Sequence, residues 1–146
     1  MFLLDTHVVT ELRRRERVDE GLAEWAASVA PADLYLSALS LMELEMGLVS
    51  LEQRSSARAQ PLRLWLETKV VPAFAGRILA IDSQTARRAA SLQVLHRRPE
   101  RNSLIAATAL VHGLSLVTRH RAEFEPFGLR LLSPWTVTDN NKGQAL

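Results

Sequence analysis

Short apolar segments alternate with longer stretches of helical periodicity along the chain, and this alternation constrains the fold more than any other feature. We interpret segments 2–4, 34–36, 78–81, 116–118 and 129–132 as strands, because apolar residues dominate each of them. Strands separated by helices form parallel sheets. The sequence therefore predicts an α/β fold, with a central parallel sheet of about five strands flanked by helices.

The helices between these strands are expected to begin at residues that cap a free backbone N–H. The expected N-caps are Thr6, Ser37 or Ser40, Ser55 or Ser56, Asp82 or Ser83, and Asn102. The helices they start run to about residues 15, 53, 70, 96 and 112, and a further helix is expected over 18–29. Glu43 can complete a capping box with Ser40, Pro61 can stand in the first turns of its helix, and Gly113 is a left-handed C-cap.

The length of 146 residues fits one domain, which we expect over residues 1–135, followed by a mobile tail at 136–146. The chain has no Cys, which excludes disulfides and thiolate metal sites. Its N-terminus lacks a basic leader, and no apolar run approaches the roughly 18 residues of a membrane helix. We therefore expect a soluble, cytoplasmic protein.

Polar residues stand where the predicted strands end and the predicted helices begin. Asp5 ends the first strand, Thr118 ends the fourth, and Glu123 follows it, while Glu43 and Asn102 lie at helix starts. Ligands of open α/β sheets gather beyond the carboxyl ends of the strands. One cleft could therefore collect these residues, and clustered carboxylates require a neutralising cation. Oxygen ligands without Cys select Mg²⁺ or Mn²⁺, and such ions can activate water against a phosphodiester.

Each of these residues also has an ordinary structural explanation when taken alone. Asp5 and Asn102 are good N-caps, Glu43 can serve a capping box, and Glu123 can be a solvated surface acid. Spacing by itself leaves both interpretations open.

Six segments of the chain, in order and spacing, resemble the PIN-domain family and, within it, the VapC-like toxins of bacterial toxin–antitoxin pairs. They are residues 2–13 (FLLDTHVVTELR), 36–47 (LSALSLMELEMG), 103–110 (SLIAATAL), 113–119 (GLSLVTR), 123–124 (EF) and 132–135 (LSPW). The resemblance implies a three-layer fold and an acidic pocket that holds Mg²⁺ or Mn²⁺. It also implies hydrolysis of RNA, either tRNA or ribosomal RNA, by water that the metal activates. The residues it assigns to the metal are Asp5, Glu43 and Glu123, with Thr118 as a polar residue that orients a ligand or a water.

The sequence departs from the family pattern at three positions. Asn102 stands where the family usually has Asp, and His7 and His120 stand where it usually has Asn. An amide at position 102 keeps one coordinating oxygen but removes a full negative charge, which weakens cation binding. Two explanations stay open: a naturally attenuated nuclease, or a variant inactivated on purpose. The two histidines are more often hydrogen-bond partners than metal ligands.

The basic residues are 16 Arg and two Lys, so guanidinium groups supply almost all the positive charge. Arg suits phosphate oxygens, and a basic rim would hold RNA beside an acidic pocket. The candidates for RNA binding are Arg98, Arg101, Arg119 and Arg121. A solvated run of charges is the other interpretation.

The resemblance further implies a VapB-like antitoxin partner, contact with operator DNA only through that antitoxin, and a homodimer. The apolar stretches 39–51 and 62–71 could form a groove for a partner helix, or could be plain core. Two functions are therefore considered, a metal-dependent endoribonuclease toxin and a catalytically weak homologue that binds antitoxin and regulates the operator. An aspartyl-phosphate phosphatase fits poorly, since His7 stands where a second Asp is required.

Overall fold

The structure is a computed structural model that describes residues 1–136, and its centre is a parallel sheet of five strands in the order β3-β2-β1-β4-β5. The predicted α/β fold is confirmed. The strands are β1 (Phe2–Leu4), β2 (Leu34–Ser37), β3 (Ile78–Leu79), β4 (Ser115–Val117) and β5 (Leu131–Leu132). Because β1 pairs with both β2 and β4, the residue that follows it lies at the middle of the sheet's carboxyl edge.

Helices cover both faces of this sheet. They are α1 (Thr6–Arg13), α2 (Glu20–Ser28), α3 (Ala38–Arg54), α4 (Ser56–Trp65), α5 (Val71–Ala73), α6 (Ser83–His96), α7 (Glu100–His112) and α8 (Arg121–Phe124). Successive strand residues point to opposite faces. Leu4 accordingly packs in one buried cluster, with residues of α1 to α4, and Leu3 in a second, with residues of α6 and α7. The chain thus forms three layers, with a core on each side of the sheet.

Three of the expected capping arrangements are wrong. Asp5, not Thr6, caps α1, and its carboxylate accepts a hydrogen bond from the Thr6 backbone N–H. Ser37 caps α3, so Ser40 lies inside that helix and forms no capping box with Glu43. Asn102 caps nothing, because α7 begins two residues earlier, after Pro99. The rigid φ of Pro99 sets the start of that helix ahead of the residue with the best capping side chain.

The segment after Ser55 is less regular than expected. Ser55 caps α4, which ends at Trp65 and continues as one π-helical turn, Leu66–Val70, before α5. Pro61 is the sixth residue of α4 and so lies in its second turn, within the first turns as expected. Gly113 ends α7 with a φ of 65°, as its sequence position predicts.

The last described residue is tied to the body of the protein. Thr136 donates its hydroxyl to Asp19 Oδ2 at 2.7 Å and its backbone N–H to Asp19 Oδ1 at 3.1 Å. The mobile tail expected at 136–146 otherwise falls on residues 137–146, which lie outside the described residues. Among residues 1–136, no helix has both the length and the apolar character needed to cross a membrane.

Replacing Asp19 by Ala should lower the free energy of unfolding by about 1–2 kcal/mol near pH 7, through loss of the α2 N-cap and of the bonds to Thr136. Slight burial raises the pKa of Asp19, but the hydrogen bonds from Thr136 and Leu22 outweigh it and hold that pKa below its usual value. The stabilisation is therefore present above the ordinary carboxyl pKa and is lost as the pH falls through the lower folded-state value.

Urea unfolding at pH 7 and near pH 2.5 measures this difference, with the exposed Glu16→Ala variant as control. An Asp19→Ala penalty that is the same at both pH values would contradict the assignment of the stabilisation to the ionised carboxylate.

Candidate acidic active site

The Asp5 carboxylate lies at the middle of the carboxyl edge of the sheet and is only 1% exposed. The backbone N–H of Asp5 extends the sheet by donating to Val117 O at 3.0 Å, which fixes the residue beside the end of β4. There, Thr118 donates its hydroxyl to Asp5 Oδ2 at 2.8 Å. Thr118 also accepts the backbone N–H of His120 at 3.1 Å, so the turn after β4 and the end of β1 form one unit.

Glu43 reaches the same place from α3. The hydroxyl of Thr6 donates to Glu43 Oε1 at 2.7 Å and lies 2.9 Å from the hydroxyl of Ser40. Glu43 is half-buried and stands one helical turn after the buried Ser40, so this side of α3 faces the first turn of α1. Its carboxylate is therefore held against the edge of the sheet instead of capping its own helix.

Asn102 and Glu123 complete the acidic edge from the other side. Asn102 is 4% exposed, and its amide Nδ2 donates to Glu123 Oε2 at 3.3 Å. Glu123 lies on α8, which follows the turn after β4. Although Glu123 is exposed, its contact with Asn102 places it at the pocket and not on a separate surface.

Arg101 lies among these residues with its guanidinium in the acidic pocket. Its Nη2 donates to Asp5 Oδ1 at 2.6 Å, and its Nε donates to Glu43 Oε2 at 2.7 Å. Nη1 contacts the amide oxygen of Asn102 at 3.2 Å. Arg101 is predicted from the sequence as a rim residue for RNA, and its contact with the two carboxylates is not among the predictions.

The charges in the pocket shift two ionisation equilibria in opposite ways. Burial raises the pKa of Asp5, but the hydrogen bond and charge of Arg101, with smaller effects of His7 and Thr118, hold that pKa below its usual value. Burial of the guanidinium lowers the pKa of Arg101, but Glu43 and Asp5 outweigh burial and raise it. Asp5 is thus a carboxylate and Arg101 a cation at neutral pH.

His7 and His120 stand side by side at the pocket wall. The His7 and His120 rings meet edge-on at 4.9 Å between centroids. His7 Nε2 accepts the backbone N–H of Arg119 at 3.2 Å, and its Nδ1 lies 3.5 Å from Asp5 Oδ2. Burial, followed by the charges of His120 and Arg119, lowers the pKa of His7 against the attraction of Asp5. His7 is therefore a hydrogen-bond partner of the wall.

These side chains surround one open cavity of about 680 Å³. Its lining includes all four residues predicted to bind the cation, which are Asp5, Glu43, Asn102 and Glu123. The other residues of the lining are Thr6, His7, Thr10, Arg98, Pro99, Arg101 and His120. Thr118 lies behind Asp5 and is fully buried. The structure thus brings together all the residues that the sequence assigned to a cation.

A model of the PIN domain matches residues 2–125. The chain belongs to the PIN-domain family. It is similar to the VapC ribonuclease Y4jK of Sinorhizobium fredii, with 34% identity over 140 residues that cover 92% of this chain and 98% of that protein. It is also similar to the toxin FitB of Neisseria gonorrhoeae, with 32% identity over 92% of this chain and 99% of FitB. Among solved structures, FitAB bound to an IR36 DNA fragment superimposes with a TM-score of 0.84 and 30% identity, covering 94% of this chain and 97% of that one.

Within the PIN fold of this protein, the acidic pocket can be tested for its fit to a divalent cation. Among residues 1–136, no three His, Asp or Glu side chains are positioned to hold a metal ion as they stand. Two features account for this: Arg101 lies between Asp5 and Glu43, and residue 102 is an uncharged Asn. The oxygens of Asp5, Glu43 and Asn102 nevertheless each contact a different nitrogen of the same guanidinium, so all three face one cationic group. The donor set is made only of oxygen, the ligand type that hard ions prefer, and its chemistry fits such an ion.

The four arginines assigned to RNA have different surroundings in this PIN domain. Arg98 lines the cavity, and Arg121 is exposed at the start of α8. Arg119 binds Glu11 at 3.1 Å and lies over the Trp135 ring, along a second cavity of about 590 Å³ next to the first. Arg101 could contact RNA only after leaving the two carboxylates.

Replacing Thr118 by Val should lower the free energy of unfolding by about 1–3 kcal/mol, because the buried Asp5 carboxylate loses a hydrogen-bond donor without gaining water. The matched control is Thr108→Val: Thr108 is equally buried, but its hydroxyl donates to a carbonyl of its own helix, so a cost below about 1 kcal/mol is expected. Thermal or urea unfolding compares the two variants. Equal costs would show that Thr118 does not support Asp5.

Proposed function

We propose that this PIN-domain protein is a toxin of a toxin–antitoxin system that acts as a metal-dependent endoribonuclease and hydrolyses RNA phosphodiesters. The observation that carries the proposal is the convergence of Asp5, Glu43, Asn102 and Glu123 on one cavity, at the carboxyl edge of the sheet. The similarity to a VapC ribonuclease over nearly the full length supports the RNA substrate. A structured RNA, either tRNA or ribosomal RNA, is the proposed target, which implies a cytoplasmic location.

The proposed roles follow from the position of each side chain. Asp5, Glu43, Asn102 and Glu123 would hold Mg²⁺, or Mn²⁺ in its place. Bound there, the ion would activate water and stabilise the charge that develops on the phosphate. Thr118 acts on Asp5: its hydroxyl satisfies one carboxylate oxygen and leaves the other directed into the cavity. Thr6 does the same for Glu43, whose second oxygen accepts a hydrogen bond from Arg101.

Asn102 is proposed to attenuate the cation site without disturbing its shape. The amide oxygen already faces the cavity and contacts a cation, so its placement suits a ligand. The amide nitrogen, however, donates to Glu123, a contact that two carboxylates could make only with a bridging cation or a shared proton. With Asn at position 102, residues 102 and 123 are joined by a direct hydrogen bond and need no cation between them. We therefore expect a cation to stabilise this pocket less than it would stabilise one with Asp at position 102.

The RNA backbone is proposed to cross the mouth of the cavity, between the half-buried Arg98 of its lining and the exposed Arg121 at the start of α8. An acidic pocket repels phosphate, and exposed guanidinium groups beside it offset that repulsion. Arg119 belongs to the same side of the protein, although Glu11 already shares its charge.

Partners are proposed from the relatives and from an exposed apolar face. FitB is a toxin, and FitAB is bound to DNA in its solved structure, so we propose a VapB-like antitoxin and contact with operator DNA through it. Within 39–51, Leu44 and Leu48 are core, whereas Met42, Met46 and Val49 are exposed. The core interpretation therefore holds for Leu44 and Leu48, and we propose that the exposed side contacts an antitoxin or a second copy in a homodimer.

A second candidate function is a non-catalytic partner that binds antitoxin and regulates the operator. The observation that favours it is the ion pairing of Arg101 with Asp5 and Glu43, which neutralises the pocket without any metal. A non-catalytic partner should bind antitoxin while neither taking up Mn²⁺ nor cutting RNA.

Replacing Asn102 by Asp should raise the rate of Mg²⁺-dependent RNA cleavage by about tenfold or more, because the restored charge binds the cation more tightly. Cleavage of total RNA, with and without EDTA, measures the effect. The double variant Asn102→Asp/Glu43→Gln is the control and should lose the gain, since it removes a carboxylate from the same pocket. Equal rates for the unchanged protein and the Asn102→Asp variant at matched Mg²⁺ would contradict the assigned role.

Charge reversal at Arg98 and Arg121 should weaken RNA binding and reduce its dependence on salt, by about one unit of slope for each phosphate that the protein no longer neutralises. Arg130→Glu is the control, because Arg130 precedes β5 at the opposite edge of the sheet and donates to Gly113 O. Fluorescence anisotropy across a salt series provides the slopes. If Arg130→Glu changes the slope as much as either rim variant, binding depends on net charge and not on this rim.

A further inference from the structure

The guanidinium of Arg101 uses the same oxygen atoms that the proposed cation requires. It bonds to Asp5 Oδ1 at 2.6 Å, to Glu43 Oε2 at 2.7 Å and to Asn102 Oδ1 at 3.2 Å. A further contact joins Nη2 to the hydroxyl of Thr6 at 3.3 Å. Asp5 after β1, Glu43 on α3 and Asn102 on α7 each direct one oxygen at this guanidinium. The positive charge in the pocket thus comes from the chain itself.

The surroundings of Arg101 favour this position over a solvated one. Asp5 is 1% exposed, so a buried carboxylate would lack a counter-ion if the guanidinium left and nothing replaced it. Charge-assisted bonds of 2.6–2.7 Å are among the strong hydrogen bonds of proteins. Arg101 itself stays 33% exposed, so its side chain has an open route toward the cavity mouth.

We propose that Arg101 is an internal competitor of the divalent cation and sets the cation affinity of the pocket. The inference rests on the proposed function, because it concerns the same site. A divalent ion cannot take Asp5 Oδ1 and Glu43 Oε2 while the guanidinium is bonded to them, both because the atoms are occupied and because the two cations repel each other. The ion binds only in the fraction of molecules from which Arg101 has withdrawn, and its apparent affinity falls by that fraction.

The position of Arg101 in the chain makes the competition local. Arg101 directly precedes Asn102 in the first turns of α7, so movement of its side chain leaves the backbone of the ligand in place. Thr6, which contacts both Arg101 and Glu43, can keep its bond to Glu43 when the guanidinium leaves. Opening the pocket therefore requires a change of side-chain rotamers and no rearrangement of the sheet.

The test is Mn²⁺ binding to the full chain, followed by the electron paramagnetic resonance signal of the free ion. Arg101→Gln should lower the Kd for Mn²⁺ by about tenfold or more relative to the unchanged protein. Arg98→Gln is the matched control, because Arg98 lines the same cavity without a bond to Asp5 or Glu43 among the described residues, and it should change the Kd by less than about twofold. An equal gain in both variants would mean a general charge effect and would overturn the proposal.

Thermal unfolding is the second readout. Arg101→Gln should have a lower Tm than the unchanged protein in EDTA, since Asp5 loses its counter-ion, and Mn²⁺ should raise the Tm of this variant more than that of the unchanged protein. If Arg101→Gln does not fold without metal, Arg101→Lys replaces it: a single ammonium cannot bridge both carboxylates as the guanidinium does, and the Mn²⁺ affinity should again rise.

The outcomes separate this inference from the proposed function. If Asn102→Asp binds Mn²⁺ while neither Arg101 variant binds it more tightly than the unchanged protein, Arg101 is not a competitor and the proposed cation site stands. If no variant binds Mn²⁺, Asn102→Asp included, both proposals are wrong.

Discussion

The buried Asp5 carboxylate is the constraint on which the rest of the site depends. It lies at the end of the central strand, where the parallel pairing of β1 with β2 and β4 brings it next to Thr118. A carboxylate with 1% exposure must be paired or hydrogen-bonded. Asp5 accepts hydrogen bonds from the Thr118 hydroxyl, the Arg101 guanidinium and the backbone N–H of Thr6. Because Asp5 is buried, leaving its carboxylate without a counter-ion would destabilise the fold. The same burial favours a positive group beside it.

Much of this arrangement could be predicted because it follows from topology. An acid directly after a buried parallel strand must lie at the carboxyl edge of the sheet, so the positions of Asp5 and Thr118 required only the strand assignments. Glu43 was predicted for the site, but its capping box with Ser40 was wrong, because Ser37 caps α3 and Ser40 lies inside the helix. Glu43 instead accepts the hydroxyl of Thr6, which is 37 residues away in sequence. Local patterns contain no information about such a partner.

Arg101 could not be placed from sequence for a related reason. The helix was expected to begin at Ser103 with Asn102 as its N-cap, whereas α7 begins at Glu100 and therefore includes Arg101. Arg101 follows Arg97 and Arg98 closely in sequence, and nothing in this local pattern indicates that the Arg101 side chain enters the pocket. The signal that could have indicated it is the uncharged Asn102 directly after Arg101, because a long cationic side chain of the same chain can neutralise an acidic pocket.

The comparisons and the geometry give different kinds of support to the account. Similarity to VapC- and FitB-type proteins over nearly the whole chain establishes the PIN family and the toxin–ribonuclease relationship. The geometry concerns this chain alone, in which His7 and His120 form a wall and Arg101 holds the acids together. The two agree at the acidic pocket, where the family's chemistry and the convergent oxygens coincide.

The central claim is that Asp5, Glu43, residue 102 and Glu123 bind one cation. It is tested most directly by paramagnetic broadening of backbone amide signals during a Mn²⁺ titration of the Asn102→Asp protein. The account predicts broadening centred on residues 5–7, 43, 101–102 and 118–123. Broadening centred instead on the other acidic cluster, where Glu45, Glu52 and Glu67 surround Arg63, or an unchanged spectrum, would contradict it.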